Sequence, residues 1–409
     1  MLHKIWLGFI LSAFVATCYN VFVNDNFGSF QEVMQAVNAM ARTSVDIAIG
    51  LIGLLAFWLG IFKVAENSGL IAKFSRLLAP LLCRIMPDIP KDHPALGSIT
   101  MNMSANVLGL DNAATPFGIK AMQDMQTLSP VKDTLTNSQI LFLVLNTSSV
   151  TLFPIAVFLY RAEQGAANPT DVFIPILLAT SCSTLAGLFV TCAIQRVNLF
   201  NKVVLTYLIG IFSFLAAVIL YFSKLASDQL AEQSSLIANF ALFSFIVIVL
   251  IAGYRKKQNT YEQFVEGAKQ GFEVAIGIIP YLVAMLFAIG MLRASGVMDL
   301  VTTGVASVVA MAGFDTMFVD ALPNALMKPL SGSGARALMI ETMQFHGADS
   351  FAGRLASVLQ GSTETTFYVL AVYLGAVGIK HSRYAVGCCL AADLAGIVAA
   401  IFVSYWFFA

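Results

Sequence analysis

Two short polar runs interrupt apolar stretches of this 409-residue chain, at residues 146–151 and 360–366. The first reads Asn-Thr-Ser-Ser-Val-Thr and the second Gln-Gly-Ser-Thr-Glu-Thr-Thr. Both are rich in amide and hydroxyl groups, which can bind a small polar ligand through hydrogen bonds. Small hydroxyl residues also serve the packing of membrane helices, an alternative that stays open for Ser148 and Ser149.

Glu364 is the only acid in either run. A carboxylate inside a membrane-spanning segment is costly and indicates a functional site by default. We expect it to take up a proton, to bind a cation, or to pair with Arg336 or Lys328. A purely structural ion pair is the alternative.

Two longer segments, 97–118 and 322–336, mix apolar residues with glycine, proline, amides and hydroxyls. Non-helical backbone at membrane depth persists only where it is buried in protein or lines water, so we expect two re-entrant hairpin tips. Lys328 and Arg336 flank a Ser-Gly-Ser-Gly tip that suits a carboxylate or a phosphate. Asp111 would cap the following helix, contribute to the site, or both. Ordinary loops are the alternative for both segments.

These four breaks supply the candidate substrate-binding residues, which are Asn102, Asn106, Asp111, Asn112, Thr115, Asn146, Thr147, Ser148, Ser149, Asn324, Lys328, Ser331, Ser333, Arg336, Gln360, Ser362, Thr363, Glu364 and Thr365. We expect no catalytic residue and no enzyme, because the sequence offers no Ser–His pair, Asp–Asp dyad, HExxH motif or P-loop. The six cysteines lack metal-ligand spacing, so we expect no bound metal and no cofactor beyond a coupling ion, Na⁺ or H⁺.

The composition places these breaks in a membrane. Apolar residues make up 58% of the chain and charged residues 11%, against roughly 25% charged in soluble domains. The zero net charge gives no basic surface for nucleic acid, so the expected partners are the lipid bilayer and a small-molecule substrate, with a homo-oligomer left open. We predict an all-α polytopic membrane protein with about nine spans, at 5–23, 47–62, 134–160, 172–195, 203–222, 236–254, 274–292, 351–378 and 384–408.

The chain also repeats itself. Asp46-Ile-Ala-Ile-Gly-Leu-Ile in the first half matches Glu273-Val-Ala-Ile-Gly-Ile-Ile in the second, and the two polar runs match in the same order. We expect both acids to lie at helix starts. Lysine and arginine favour the cytoplasmic side. Their distribution predicts an N-terminus inside, an outside loop at 24–42, a C-terminus outside, and opposite directions for the two matching helices.

The sequence thus predicts an inverted-topology repeat with re-entrant hairpins and discontinuous helices, as in many secondary transporters. The domain boundaries follow from the matches. Residues 1–43 form an extra helix and the outside loop, and residues 201–258 form a connector helix pair. The first repeat covers 44–200 and the second covers 259–409.

The breaks also carry a family resemblance. Residues 102–122, which begin Asn-Met-Ser-Ala-Asn-Val-Leu-Gly-Leu-Asp-Asn, resemble the signature of spore maturation protein A. The segments 329–336, 346–351, 360–368 and 392–396 resemble spore maturation protein B. The chain looks like a fusion of the two, with the first repeat similar to A and the second similar to B. Both belong to the nucleoside-recognition or Gate group, which implies a bacterial inner-membrane protein with a transporter-like fold.

Residues and resemblance together favour a secondary transporter of a small polar metabolite, nucleoside-like or an organic anion or zwitterion, coupled to Na⁺ or H⁺. Acids and bases both lie near the breaks, which suits an anionic or zwitterionic ligand. The alternative is a non-transporting membrane scaffold or sensor in envelope or spore assembly.

Overall fold

The computed structural model describes residues 2–90, 92–109, 111–148 and 150–409. Its regular elements in these ranges are helices, which confirms the all-α class. They are α1 (Leu2–Phe22), α2 (Ser29–Ser68), α3 (Leu70–Ile85), α4 (Pro94–Val107), α5 (Asp111–Leu128), α6 (Asn137–Thr147), α7 (Ile155–Glu163), α8 (Phe173–Gln195), α9 (Lys202–Phe222), α10 (Ser227–Arg255), α11 (Thr260–Ala294), α12 (Val297–Met311), a 3-10 turn (Val319–Ala321), α13 (Leu322–Met327), α14 (Gly332–His346), α15 (Phe351–Ser362), α16 (Thr366–Val377) and α17 (Ala385–Phe408).

Seven of the described helices are long and apolar enough to cross a membrane, so the chain is a multi-pass membrane protein. They are α1, α2, α8, α9, α10, α11 and α17. The other two expected spans, at 134–160 and 351–378, each consist of two shorter helices around a break. The first break separates α6 from α7, and the second separates α15 from α16.

The two expected hairpins are also helical pairs with a short turn. In the first, α4 packs against α5 and Gly109 makes the turn with a φ of 73°. That left-handed conformation favours glycine. In the second, α13 packs against α14, and the side chain of Ser331 caps α14 by accepting a 3.0 Å hydrogen bond from the Gly334 N–H.

The expected outside loop at 24–42 is wrong over most of its length, because α2 begins at Ser29. Apolar side chains recur every three or four residues through 29–42 among good helix formers, a signal that outweighs the polar character of the segment. The expected positions of Asp46 and Glu273 are wrong for the same reason. Both lie well inside the long helices α2 and α11 and cap neither of them.

The helices α2 and α11, which carry the repeated motif, lie directly against each other. A Cβ atom on Gly271 would lie 2.4 Å from the Cα of Ala56, and one on Gly267 would lie 2.4 Å from the Leu59 carbonyl oxygen. Small residues allow membrane helices to approach this closely. Glycines of α11 thus let the two halves approach closely at this central interface.

The order of elements is duplicated. A long helix, a shorter helix, a hairpin, a broken helix and a further long helix occur as α2–α8 and again as α11–α17. The helices α9 and α10 connect the series, and α8 packs against α17 as α2 packs against α11. That the two series cross the membrane in opposite directions remains a prediction from the charge pattern.

A buried charge network joins the halves at one end. The fully buried Arg161 guanidinium contacts Asp171 at 2.9 Å and Asp349 at 3.2 Å, and donates a 2.8 Å hydrogen bond to the Ala348 carbonyl oxygen. Arg354 contacts the second oxygen of Asp171 at 2.8 Å. The loop between α7 and α8 is thereby held against the loop between α14 and α15.

Candidate functional site

The two helix breaks meet in the middle of the structure. The backbone N–H of Glu364, in the second break, donates a 2.7 Å hydrogen bond to the carbonyl oxygen of Thr147, at the end of α6. A helix end leaves its last carbonyl groups without partners in its own helix. The second break thus satisfies a carbonyl that the first break exposes.

Each hairpin tip is bound to the break of its own half by an equivalent backbone bond. In the first half the Leu152 N–H donates to the Val107 carbonyl oxygen at 2.8 Å. In the second the Phe367 N–H donates to the Pro329 carbonyl oxygen at 3.0 Å. These bonds hold both tips against the crossing of the two breaks.

A cavity of about 320 Å³ lies at this crossing. All four breaks contribute to its lining: Gly109 from the first tip, Thr151 from the first break, Lys328 and Arg336 around the second tip, and Gln360, Thr363 and Glu364 around the second break. Apolar side chains of α2, α7 and α11 complete the wall. An apolar cavity of this size with a few convergent polar groups is typical of a small-molecule site.

The charged groups of the cavity differ in exposure. Lys328 is only 5% exposed, Arg336 is half-buried and Glu364 is exposed. The Arg336 guanidinium lies over the ring of Tyr160, 5.4 Å from its centroid, which orients the cation by a cation–π contact. The cavity thus presents two cations and one carboxylate, a set that fits an anionic or zwitterionic ligand.

Gln360 carries a polar atom that no described residue satisfies. Its Oε1 atom is buried and has no hydrogen-bond partner among the described residues. Buried polar atoms in native proteins nearly always have a partner, either protein or water or ligand. An amide acceptor on a residue that lines the cavity, with no partner in the described part of the chain, is available to a bound molecule.

A second polar cluster lies outside this cavity. Asn106 donates a 2.9 Å hydrogen bond to the Asn146 side-chain oxygen, and Asn102 donates a 2.7 Å bond to the Ala114 carbonyl oxygen. The Tyr373 hydroxyl lies 3.4 Å from both Asn102 and Asn146. The structure therefore places the three asparagines between the first hairpin, α6 and α16, and separates them from the charged cavity.

The remaining expected site residues have local roles. The hydroxyls of Thr147, Ser148 and Ser362 donate to carbonyl oxygens of their own helices. Ser333 lies 3.3 Å from the capping Ser331, as measured between hydroxyl oxygens. Asn324 and Thr365 are buried, and Thr115 is half-buried on α5. Ser149 and the side chains of Asp111 and Asn112 lie outside the described residues.

Two parts of the site escape prediction from sequence. The aromatic wall formed by Trp58 and Tyr160 comes from ordinary apolar runs that carry no distinguishing signal. The hydrogen-bond partner of Asp393 is the other. Its carboxylate is 1% exposed and accepts a 2.7 Å hydrogen bond from the Thr366 hydroxyl beside the second break.

The fold and the site define a polytopic membrane protein with a duplicated helical core and a polar cavity where its interrupted helices cross. Comparison with known proteins gives the family of the chain. Residues 48–164 and 275–380, more than half of the chain, match the family described as Gate, nucleoside recognition. The chain belongs to this family, and the two matched segments fall one in each half of the duplicated core.

Two relatives from Bacillus subtilis (strain 168) each match part of the chain. Spore maturation protein A is 40% identical over 190 residues, which are 46% of this chain and 93% of that protein. Spore maturation protein B is 47% identical over 155 residues, which are 38% of this chain and 85% of that protein. The resemblance to a fusion of the two is thereby confirmed. No solved structure matches the chain significantly.

Proposed function

We propose that this protein is a secondary transporter of a small polar metabolite, nucleoside-like or an organic anion or zwitterion, driven by Na⁺ or H⁺. The observation that carries the proposal is the cavity at the crossing of the two breaks. Secondary transporters place their sites where interrupted helices from two repeats meet near the bilayer midplane. Here the Glu364–Thr147 backbone bond joins the repeats at the edge of that cavity.

The chemistry of the cavity narrows the substrate class. Lys328 and Arg336 suit a carboxylate or phosphate, and Glu364 suits a cationic or hydroxyl group on the same molecule. The Tyr160 ring and the apolar wall suit a flat or weakly polar body. A volume of about 320 Å³ admits a metabolite of nucleoside size and excludes a polymer.

The membrane assignment belongs to the same proposal. We place the protein in a bacterial inner membrane with a cytoplasmic N-terminus and an outside C-terminus, a proposal that the charge pattern and the family support. We propose transport without enzyme chemistry, as the sequence motifs indicate, and the described lining of the cavity supplies groups that can bind a ligand.

A ligand screen by thermal stability tests the proposal. The purified full chain is heated with nucleosides, nucleotides, amino acids and carboxylates, one at a time. A true ligand at a hundredfold excess over its Kd stabilises the folded state by about 2.7 kcal/mol, so the apparent Tm rises. The rise is expected to shrink in Arg336→Gln, which alters the cavity, and to persist in Arg84→Gln, whose exposed side chain lies outside it.

The outcome separates the two functions. A stabilising metabolite whose effect depends on Arg336 supports a binding site for transport. A protein that no metabolite stabilises, and that responds only to other envelope or spore proteins, would favour the scaffold alternative suggested by the names of its relatives.

A further inference from the structure

Asp393 is the one acidic residue within α17, and its surroundings leave it incompletely satisfied. Its carboxylate is 1% exposed. One oxygen accepts the 2.7 Å hydrogen bond from the Thr366 hydroxyl, and the other, Oδ1, is buried without a hydrogen-bond partner among the described residues. A buried carboxylate needs a nearby positive charge, a bound cation or a proton.

Lys328 supplies the positive charge. Its ammonium group interacts electrostatically with the Asp393 carboxylate over a longer range than an ion pair, and its side chain also lines the cavity. The bond from the Phe367 N–H to the Pro329 carbonyl oxygen, 3.0 Å long, fixes the chain beside Lys328 next to the residue that follows Thr366. Lys328 thus stands between the substrate cavity and the buried acid.

Few other charged residues lie near the Asp393 carboxylate. The helices α6, α8 and α16, which pack near Asp393, contain no Asp, Glu, Lys, Arg or His. The second break contributes Glu364, and Cys389 lies one turn earlier on α17. The ionic groups on the other contacting helices, α15 and α10, are Arg354, which is bound to Asp171, and Asp228, Glu232 and Arg255 near the ends of α10. Lys328 is therefore the basic residue that these contacts place beside Asp393.

We propose that Lys328 and Asp393 couple the cavity to a buried proton site. When the Lys328 ammonium is neutralised from the cavity side by an anionic group, Asp393 loses its counter-charge and takes up a proton on Oδ1. The proton comes from solvent, and the net charge of the pair and the bound anion returns to zero. This inference rests on the proposed transport function, which it deepens by assigning H⁺ as the coupling ion and Asp393 as its acceptor.

The substitution Lys328→Gln imitates the neutralised lysine, so the inference can be tested without any metabolite. Asp393 in that variant is expected to hold a proton at neutral pH. The infrared spectrum of the full chain in nanodiscs should then show a stronger carbonyl stretch of a protonated carboxyl group than wild type does. The added intensity should be missing from the double variant Lys328→Gln, Asp393→Asn, which assigns it to Asp393.

Thermal stability gives a second readout that does not depend on assigning a band. An ionised, uncompensated Asp393 destabilises the fold, and protonation relieves this. The Tm of Lys328→Gln, relative to wild type, is therefore expected to fall as pH rises and to recover as pH falls. The double variant should lack this pH dependence. If Lys328→Gln alone is too unstable to purify, recovery of folded protein in the double variant supports the same pairing.

Three results would overturn the inference. The first is a Lys328→Gln spectrum without an Asp393 carboxyl band together with a pH-independent Tm deficit. The second is a band of equal intensity in wild type, which would mean that Lys328 does not control the proton. The third is stabilisation of Lys328→Gln by Na⁺ but not by choline at equal ionic strength, lost on Asp393→Asn, which would make the site a sodium site. These measurements are made without substrate, so they can contradict the proton-site inference while the metabolite screen supports the proposed transport function. Equally, the metabolite screen can find no ligand while these measurements support the proton site.

Discussion

The backbone N–H of Glu364 donates a 2.7 Å hydrogen bond to the carbonyl oxygen of Thr147. These two residues lie in different halves of the chain, each at the point where an apolar helix is interrupted. A polar backbone group exposed by one break is satisfied by the other, so neither break could be buried alone without cost. The bond explains why the two halves need each other at the site of proposed binding.

The first prediction concerns the carboxylate of Glu364. Glu364→Gln preserves the backbone bond to Thr147 and removes the single carboxylate that lines the cavity in the described structure. We expect the Tm of the unliganded protein to change little, because the side chain is exposed. The Tm rise caused by a zwitterionic metabolite should be lost, while Glu232→Gln, an exposed acid on α10, should keep it. Equal responses in both variants would show that Glu364 does not contact the metabolite.

The second prediction concerns the turn of the first hairpin. A Cβ atom on Gly109 would lie 2.6 Å from the Phe153 carbonyl oxygen, and the residue has a φ of 73°. Gly109→Ala should therefore destabilise the protein by about 1–3 kcal/mol and weaken metabolite binding, because the tip must move away from the first break. The matched control is Gly97→Ala, within helix α4 and with no atom near the added methyl group, which should be neutral or stabilising. A Gly109→Ala protein as stable as the control would contradict this geometry.

The third prediction concerns the charge network between the halves. Arg161→Met leaves Asp171 with one cation instead of two and should destabilise the protein by about 3–5 kcal/mol, the usual cost of breaking a buried ion pair. Lys120→Met breaks the pair with Asp124, in which the lysine is 62% exposed, and should cost about 0.5 kcal/mol or less. Chemical denaturation of both variants in the same detergent gives the comparison. Similar small losses would mean that the network does not hold the halves together.

The fourth prediction concerns orientation. Glu66 near the end of α2 and Asp299 near the start of α12 are exposed positions that follow the two repeated motifs along the chain. In an inverted repeat, cysteines introduced there in a cysteine-free background should react with a membrane-impermeant reagent from opposite sides. Labelling of both from one side of intact cells would rule out the inverted arrangement.

The sequence predicts the helix interruptions because polar residues are unusual inside an apolar membrane span. Glycine, amide and hydroxyl residues inside apolar runs have few physical explanations, and the breaks at 146–151 and 360–366 occur where the pattern indicates. The same reasoning fails for 24–42, where a polar composition conceals a helical period. Local composition indicates where a helix must stop more reliably than where one begins.

Local composition does not predict which side chains from distant segments contact each other. Asp393 can be recognised as an unusual acid in an apolar span, but its neighbours Thr366 and Lys328 come from other elements. The asparagines show the same limit, since Asn102 and Asn146 share polar composition with the cavity residues and yet lie in a separate cluster around Tyr373. Their separation depends on how the hairpin packs on α6 and α16, which only the folded structure reveals.

The most direct test of the central claim is uptake into proteoliposomes of a metabolite that stabilises the purified protein. We predict that an imposed H⁺ or Na⁺ gradient drives accumulation above the equilibrium level in wild type. Accumulation should be abolished in Arg336→Gln and retained in Arg84→Gln. If the metabolite binds to wild type but enters proteoliposomes no faster than protein-free liposomes, with or without a gradient, the cavity is a sensor site and the protein is not a transporter.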